Sequence, residues 1–457
     1  MTRRDAIRSA AAFTIIPAHL VRGYQANSKL DIGIIGIGGV GAGNARRLAE
    51  LGENIAAICD VDPVILEDRS KPYPKAQRHS DFRRMFDAQK LDGVVVATPD
   101  HSHTLISVTA MKRGMHVYCQ KPLTRTIREA RLMAEVAAKQ KVVTQMGTAS
   151  ASAESTRQTI ELIRSGTLGE ITEVHCWTNR ALWPQGFDRP AGEDPIPGTM
   201  NWDLWLGPAQ ARPYKAKWPE GHPVYNIPSR LDPFPEKWWR DAWANVYHPF
   251  TWRGWQDFGT GALGDIAPHS LNVVYWGLEL GPPSVVEVVE TSGMTREMYP
   301  AWSVIRYDFP ARGVHPPLKL YWYDSGKMPP PEIAGERAFG GGLVLIGTKG
   351  SLPVGRGPFF GNKVEPYPEP KRMEWDYDEV HADWTNGIKF GKRPSCDFAY
   401  AGPFTEAYLL GNIALKVGHR VEWNANSFQV TNCREANQYL SQEYRKGWEL
   451  PERLGSA

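Results

Sequence analysis

The stretch from Lys29 to Leu48 constrains this chain more than any other. Lys29-Leu30-Asp31-Ile32-Gly33-Ile34-Ile35 is a short apolar run of β type, Gly36-Ile37-Gly38-Gly39-Val40-Gly41 follows at once, and Asn44-Ala45-Arg46-Arg47-Leu48 continues as a helix. A GxGxxG turn between strand and helix gives its glycines separate tasks. Gly36 allows the tight turn, Gly38 lets a pyrophosphate approach the backbone, and Gly41 lets the helix pack close to the strand. The helix start at Gly39 and Val40 offers unpaired N–H groups and a positive dipole end to phosphates. A second β-type run, Ile55-Ala56-Ala57-Ile58-Cys59, ends in Asp60, about 20 residues past the last glycine. An acid there accepts hydrogen bonds from ribose hydroxyls and repels a 2′-phosphate, which favours NAD as cofactor. NADP stays open, because Asp60 could instead cap a turn with Asp62 and Pro63.

The alternation continues. Leu91 to Ala97 reads as a buried parallel strand ending in Thr98-Pro99-Asp100-His101-Ser102-His103, with a helix from about Thr104 to Arg113. Gly114 to Cys119 is another strand, ending in Gln120-Lys121-Pro122; Ile127 to Lys139 is a helix and Lys141 to Met146 a further strand. Strands alternating with helices predict an α/β, doubly wound parallel sheet, in which ligands lie beyond the carboxyl ends of the strands. Gly36, Asp60, Thr98 and Lys121 all stand at such ends. Thr98, Pro99, His103, Gln120 and Lys121 therefore join the glycines and Asp60 as cofactor-side residues. His101 and His103 shape that loop; no metal is expected, since no acidic or cysteine partners accompany them.

Composition bounds the rest. A chain of 457 residues exceeds what one hydrophobic core usually serves, and its 42% apolar and 23% charged residues are those of an ordinary globular protein. The 53 basic and 50 acidic residues leave a net charge of +3, without a long basic block, so nucleic acid is not an expected partner. No apolar run reaches the roughly 18 residues that span a bilayer, so no membrane partner is expected. Five scattered cysteines form neither a CxxC nor a disulfide framework. Arg3-Arg4 before the modest apolar stretch Ser9 to Leu20 matches a twin-arginine export signal, which places the protein in the periplasm; a frayed basic tail on a cytoplasmic protein is the alternative. The expected layout is a signal or tail over 1–28, a Rossmann domain over 29–150 and a substrate domain over 151–457.

Taken together, Gly36–Gly41, Cys59-Asp60-Val61-Asp62, Ala97-Thr98-Pro99-Asp100-His101-Ser102-His103, Cys119-Gln120-Lys121-Pro122 and Gly264-Asp265-Ile266-Ala267-Pro268-His269 resemble the Gfo/Idh/MocA family of glucose–fructose oxidoreductase, inositol dehydrogenase and their relatives. The resemblance implies an N-terminal Rossmann domain followed by a C-terminal α/β domain with an open, largely antiparallel sheet, through which subunits often assemble into homo-oligomers. Three departures stand out. Gln120 replaces the family's usual glutamate, Asn272 stands where an acid is common, and Gly147-Thr148-Ala149-Ser150 lacks a frequent glutamine.

All 17 tryptophans lie at or after Trp177, and 11 fall between Trp177 and Trp276. Indoles mixed with polar groups suit sugars, although core or interface packing accounts for part of the excess. Asn179, Arg180, His248 and Arg253, in the stretches Trp177–Arg180 and Tyr247–Trp255, are the candidate substrate-binding residues. Oxidation of a secondary alcohol needs a base at the hydroxyl. His269 lies four residues after Asp265 on an apparent helix, so the two share a face; a capping Asp265 and a core His269 form the competing reading. Lys121 would polarise the substrate oxygen. Lys121, Asp265 and His269 are thus the expected catalytic group of an NAD(P)-dependent oxidoreductase acting on a small-molecule carbohydrate or polyol. Two alternatives are a glycosidase or lyase that oxidises its sugar transiently on a retained NAD, and a sugar-binding protein without turnover.

Overall fold

The computed structural model describes residues 29–148, 153–226, 241–335, 340–354 and 378–451. The twin-arginine segment, Ala149-Ser150 and the expected boundary at residue 150 lie outside them.

Six strands form the first sheet: β1 (Asp31–Ile35), β2 (Asn54–Cys59), β3 (Gln77–His79), β4 (Gly93–Val96), β5 (His116–Gln120) and β6 (Thr144–Gly147), in the order β3-β2-β1-β4-β5-β6. Every pairing is parallel. Ile32, Ile34 and Val94 to Val96 are β-branched and almost wholly buried, as expected of strands covered on both faces. The order reverses between β1 and β4, so the crevice outside their carboxyl ends is where a dinucleotide lies in such sheets.

The first connecting helix, α1 (Val40–Glu50), has Gly39 at its N-cap and no side-chain capping bond. The next, α2 (Pro63–Ser70), is capped by Asp62, whose carboxylate accepts the N–H groups of Val64 and Ile65. The helix Ile127–Gln140 carries a full capping box between Thr126 and Glu129. The helix at the glycine loop thus has no side chain covering its start, although the Gly41 N–H donates to the Gly38 carbonyl at 3.0 Å.

The second sheet holds eight strands, which include β7 (Ile171–Trp177), β8 (Val285–Thr291), β9 (Ser303–Phe309) and β10 (Leu318–Tyr323) at its centre. Among the described residues only β7 and β10 pair in parallel in this sheet; the other contacts are antiparallel. This is the open, largely antiparallel sheet that the family resemblance implies. The helix Phe398–Val417 then returns the chain to the first unit and packs on the helix Ile127–Gln140. Gly402 permits that approach, since a Cβ there would meet the Ala130 carbonyl oxygen and the Ala134 side chain, both at 2.9 Å. The opposite side of the same helix meets the second sheet, where the Tyr307 hydroxyl donates to the Tyr408 carbonyl at 2.7 Å.

Much of the aromatic excess forms a core of its own. Trp202, Trp205, Trp218, Tyr247, Trp252 and Trp255 are all buried within one cluster, with Trp255 fully enclosed. Packing, rather than sugar stacking, accounts for them, and these rings hold together the described parts of the chain around them.

The closest approach in the fold is at Gly41, where a Cβ would stand 1.8 Å from the Gly36 carbonyl oxygen, a main-chain atom that cannot rotate aside. Gly41→Ala is expected to push α1 off the loop, lowering the urea-unfolding free energy by about 1–3 kcal/mol and weakening NADH binding measured by fluorescence.

Candidate active site

The glycine loop is held from below by an acid. Asp60 Oδ2 accepts the N–H groups of Ile37 at 2.9 Å and Gly38 at 3.3 Å, while Oδ1 accepts that of Asp62 at 3.0 Å. Burial raises its pKa above the usual carboxylate value, and these N–H bonds oppose the rise. Asp60 does form the turn with Asp62, but the helix cap is Asp62 itself. Gly36 has φ 82°, and a Cβ there would lie 2.7 Å from the Ala97 carbonyl oxygen. Gly39, at φ 50°, borders open space, and Val40 beside it is exposed. At the end of β4 the Thr98 hydroxyl is buried without a partner. Uncapped N–H groups, a carboxylate at the ribose end and an unmet hydroxyl are what a dinucleotide would satisfy, so the residues present fit one.

Gln120 and His103 support this crevice through the protein. Gln120 Nε2 donates to Asn44 Oδ1 at 3.3 Å, and Gly147 leaves room for that amide, since a Cβ there would stand 2.7 Å from Nε2. The two nitrogens of His103 face the carbonyls of Pro122 (2.9 Å) and Thr98 (2.8 Å). It therefore braces two strand-end loops against each other. Pro99 holds the N-cap position of the helix Asp100–Lys112.

Lys121 directly follows β5, before a cis peptide to Pro122. Asp265 and His269 lie on the helix Gly261–Ser270, whose N-cap position is Thr260, so Asp265 is not the cap. Lys121 Nζ donates to Asp265 Oδ1 at 2.9 Å and to the Asp265 carbonyl at 3.0 Å, and Arg253 Nε donates to the same Oδ1 at 3.2 Å. Burial alone would raise the Asp265 pKa; Lys121 and Arg253 overcome it and bring it down to about 2. His269 is lowered to about 4, by burial first and then by the Lys121 charge, with Asp265 opposing. Its imidazole is neutral at pH 7, and its Nδ1 lies 3.5 Å from Thr148 Oγ1.

Four candidates thus come together: Lys121, Asp265, His269 and Arg253. Arg180 joins them electrostatically, since its charge acts on both Asp265 and His269. Asn179 lies half-buried just before it. His248 stands apart from this group. Its Nε2 stands 3.8 Å from Asp62 Oδ2, which puts it at the ribose end of the crevice. Three strand spacings separate β2 from β5, roughly 14 Å, so His248 belongs with Asp60 and not with Lys121.

Asp100 was not singled out in the sequence. It is buried, accepts the Thr260 hydroxyl at 2.9 Å, and is raised to about 8 by burial and by the nearby Asp265 charge. It is therefore protonated at neutral pH. An acid opening a helix directly after the end of a buried strand is the one signal that could have marked it. Among the described residues no group of three or more His, Cys, Asp or Glu is arranged to hold a metal ion.

The Asp100 carboxyl has an ordinary value of 3.8 and is raised to about 8 in the fold. Between those limits the native state keeps a proton that the unfolded chain has released, so stability falls as pH rises through that window. In urea titrations, wild-type protein is expected to lose up to ~1.4 kcal/mol per pH unit relative to Asp100→Asn between about pH 6.5 and 8. Parallel pH profiles for the two proteins would refute this.

Comparison with known proteins finds relatives for the cofactor side of the site. Residues 30–148 match the model of the Gfo/Idh/MocA oxidoreductase family, NAD-binding Rossmann fold. The chain is 30% identical over 167 residues to inositol 2-dehydrogenase 4 of Saccharopolyspora erythraea, covering 36% of this chain and 49% of that one. It is 32% identical over 162 residues to a glycosyl hydrolase family 109 protein of Solibacter usitatus, covering 33% and 37%. The chain thus spans half or less of the length of these curated relatives. In structure it resembles the WlbA dehydrogenase of Bordetella pertussis, solved with NADH and UDP-GlcNAcA, at a TM-score of 0.57 and 17% identity over 87% of this chain and 99% of that one. That likeness is one of fold. Through its glycine loop, its strand-end residues and this match, residues 30–148 form an NAD-binding Rossmann domain like that of the Gfo/Idh/MocA oxidoreductase family.

Proposed function

We propose that the protein is an NAD-dependent dehydrogenase that oxidises a secondary alcohol of a sugar, polyol or glycoside. One observation carries the reading: a paired Lys121, an ionised Asp265 and a neutral His269 form one buried cluster, with Lys121 at a strand end of the cofactor sheet. Bound NAD supplies the acceptor for the hydride. His269 takes the hydroxyl proton at Nε2, the nitrogen opposite the one facing Thr148. Lys121 steadies the oxygen as it becomes an alkoxide and then a carbonyl. Asp265 orients Lys121, and Arg253 shares the carboxylate. The balance is one hydride to the cofactor and one proton to His269, leaving a ketone.

A second reading keeps the cofactor within the protein between turnovers. The aromatic insertion supports it, because Trp202, Leu206 and Arg212 face Val61, Pro63 and Ser80 across one cavity beside the ribose end of the crevice. Similarity to a glycosyl hydrolase family 109 protein adds to it. Transient oxidation of a glycoside would acidify the neighbouring C–H, elimination would release the aglycone, and return of the hydride would restore NAD. Export through the twin-arginine segment, where free NAD is scarce, would suit this cycle, and self-association through the second sheet completes the proposal. A mature chain starting near residue 28, lost when Arg3 and Arg4 are both changed to lysine, is the expected mass-spectrometric sign of export.

The central test supplies NAD with a panel of sugars, inositols and aryl glycosides and follows both reduced nicotinamide and released aglycone. His269→Gln and Lys121→Met should each lower kcat/KM by about 10²–10⁴ while binding NADH normally. Because His269 must be unprotonated to act, kcat/KM should fall as pH drops through about 4, and His269→Gln should remove that limb. Wild-type activity in both variants would overturn the assignment. Aglycone release without net reduction would select the second reading, and nicotinamide binding without any turnover would leave a binding protein.

A further inference from the structure

The catalytic cluster holds more positive charge than its reaction uses. Lys121, Arg253 and Arg180 act on Asp265, the one ionised carboxylate of the group. Asp100 is protonated and His269 neutral, so neither offsets the surplus.

Arg180 is the member without a counterion. It lies three residues past the end of β7, and its backbone is pinned on both sides. Its N–H donates to Thr178 Oγ1 at 3.1 Å, and its carbonyl accepts the Ser325 N–H at 2.6 Å and the Ser325 hydroxyl at 3.2 Å. Its guanidinium, by contrast, makes no hydrogen bond or ion pair among the described residues, although the residue is half-buried. Lys121 and Arg253 both bond Asp265 directly, whereas Arg180 acts on that carboxylate only at longer range. A guanidinium partly withdrawn from water, without a bonded anion, gives up hydration and regains only the distant attraction of Asp265. Burial lowers its pKa accordingly. A neutral sugar would bury it further without balancing its charge.

We infer that Arg180 binds an anionic group of the substrate, and that the carbohydrate oxidised here is a sugar acid, a uronate or aldonate, rather than a neutral sugar. The planar guanidinium fork matches two carboxylate oxygens, and one such anion offsets part of the surplus around Asp265. A sulfate ester presents related chemistry and is told apart below. The inference rests on the proposed oxidation at Lys121 and His269.

The test is equilibrium binding to the NADH-loaded protein, with matched pairs: glucuronate and glucose, galacturonate and galactose, gluconate and glucitol, with glucose 6-sulfate added. At least one carboxylate should bind about tenfold or more tightly than its neutral partner. Arg180→Met should close that gap to about twofold and Arg180→Lys should restore part of it, while NADH affinity stays unchanged in both. Neutral partners that bind as tightly as the acids, a gap that survives Arg180→Met, or equal losses of NADH and acid binding would each overturn the inference. Arg180-dependent binding of the sulfate alone would overturn the carboxylate assignment. The oxidoreductase reading fails separately, through an acid that binds by Arg180 but yields neither reduced nicotinamide nor any other turnover.

Discussion

One carboxylate oxygen joins the two halves of this molecule. Asp265 Oδ1 receives Lys121 from the end of the parallel sheet and Arg253 from the aromatic insertion. A buried pair of this kind adds little net stability, but removing one partner leaves a stranded charge at a cost of about 3–5 kcal/mol. Its larger effect is on its neighbours. The ionised Asp265 helps keep Asp100 protonated, while the Lys121 charge helps keep His269 neutral. Three titratable groups in one small space thus hold three different states at pH 7, and each state follows from that single ion pair together with burial.

The two sheets explain why the cluster sits where it does. The reversal of strand order at β1 and β4 opens the crevice, and β5 delivers Lys121 to its edge. The helix Gly261–Ser270 brings Asp265 and His269 from the second unit to meet it. His101, whose Nε2 lies 3.0 Å from the Trp205 carbonyl and whose ring rests against Phe258, seats the start of the helix Asp100–Lys112 in the aromatic core. Burial holds that imidazole neutral, at about 3. Alignment of the halves therefore depends on contacts at several points around the crevice, of which the ion pair is the most sensitive to charge.

Local patterns carried much of this into the sequence. The glycine loop, the strand-end residues and the four-residue spacing of Asp265 and His269 are properties of short segments, and short segments are what a linear reading resolves. The tryptophans were harder, because an indole that stacks on a sugar and one that fills a core look alike until its neighbours are known; Trp255 is wholly enclosed. His248 sits beside arginine and tryptophan in the chain, yet the fold carries it to Asp62. Asp100 acquires its character only from Thr260 and Asp265, more than 150 residues away. The isolation of Arg180 is likewise a property of three-dimensional surroundings, invisible to any motif.

The helix Phe398–Val417 has a mechanical consequence. It lies against the helix Ile127–Gln140 on one side and the Tyr307 strand on the other, with Gly402 and Gly411 permitting both approaches. The two units therefore share a spine, and swinging them apart like the shells of a clam would tear open a continuous apolar seam. Traffic into and out of the crevice must instead pass at its rim, where short loops can yield while the spine stays shut.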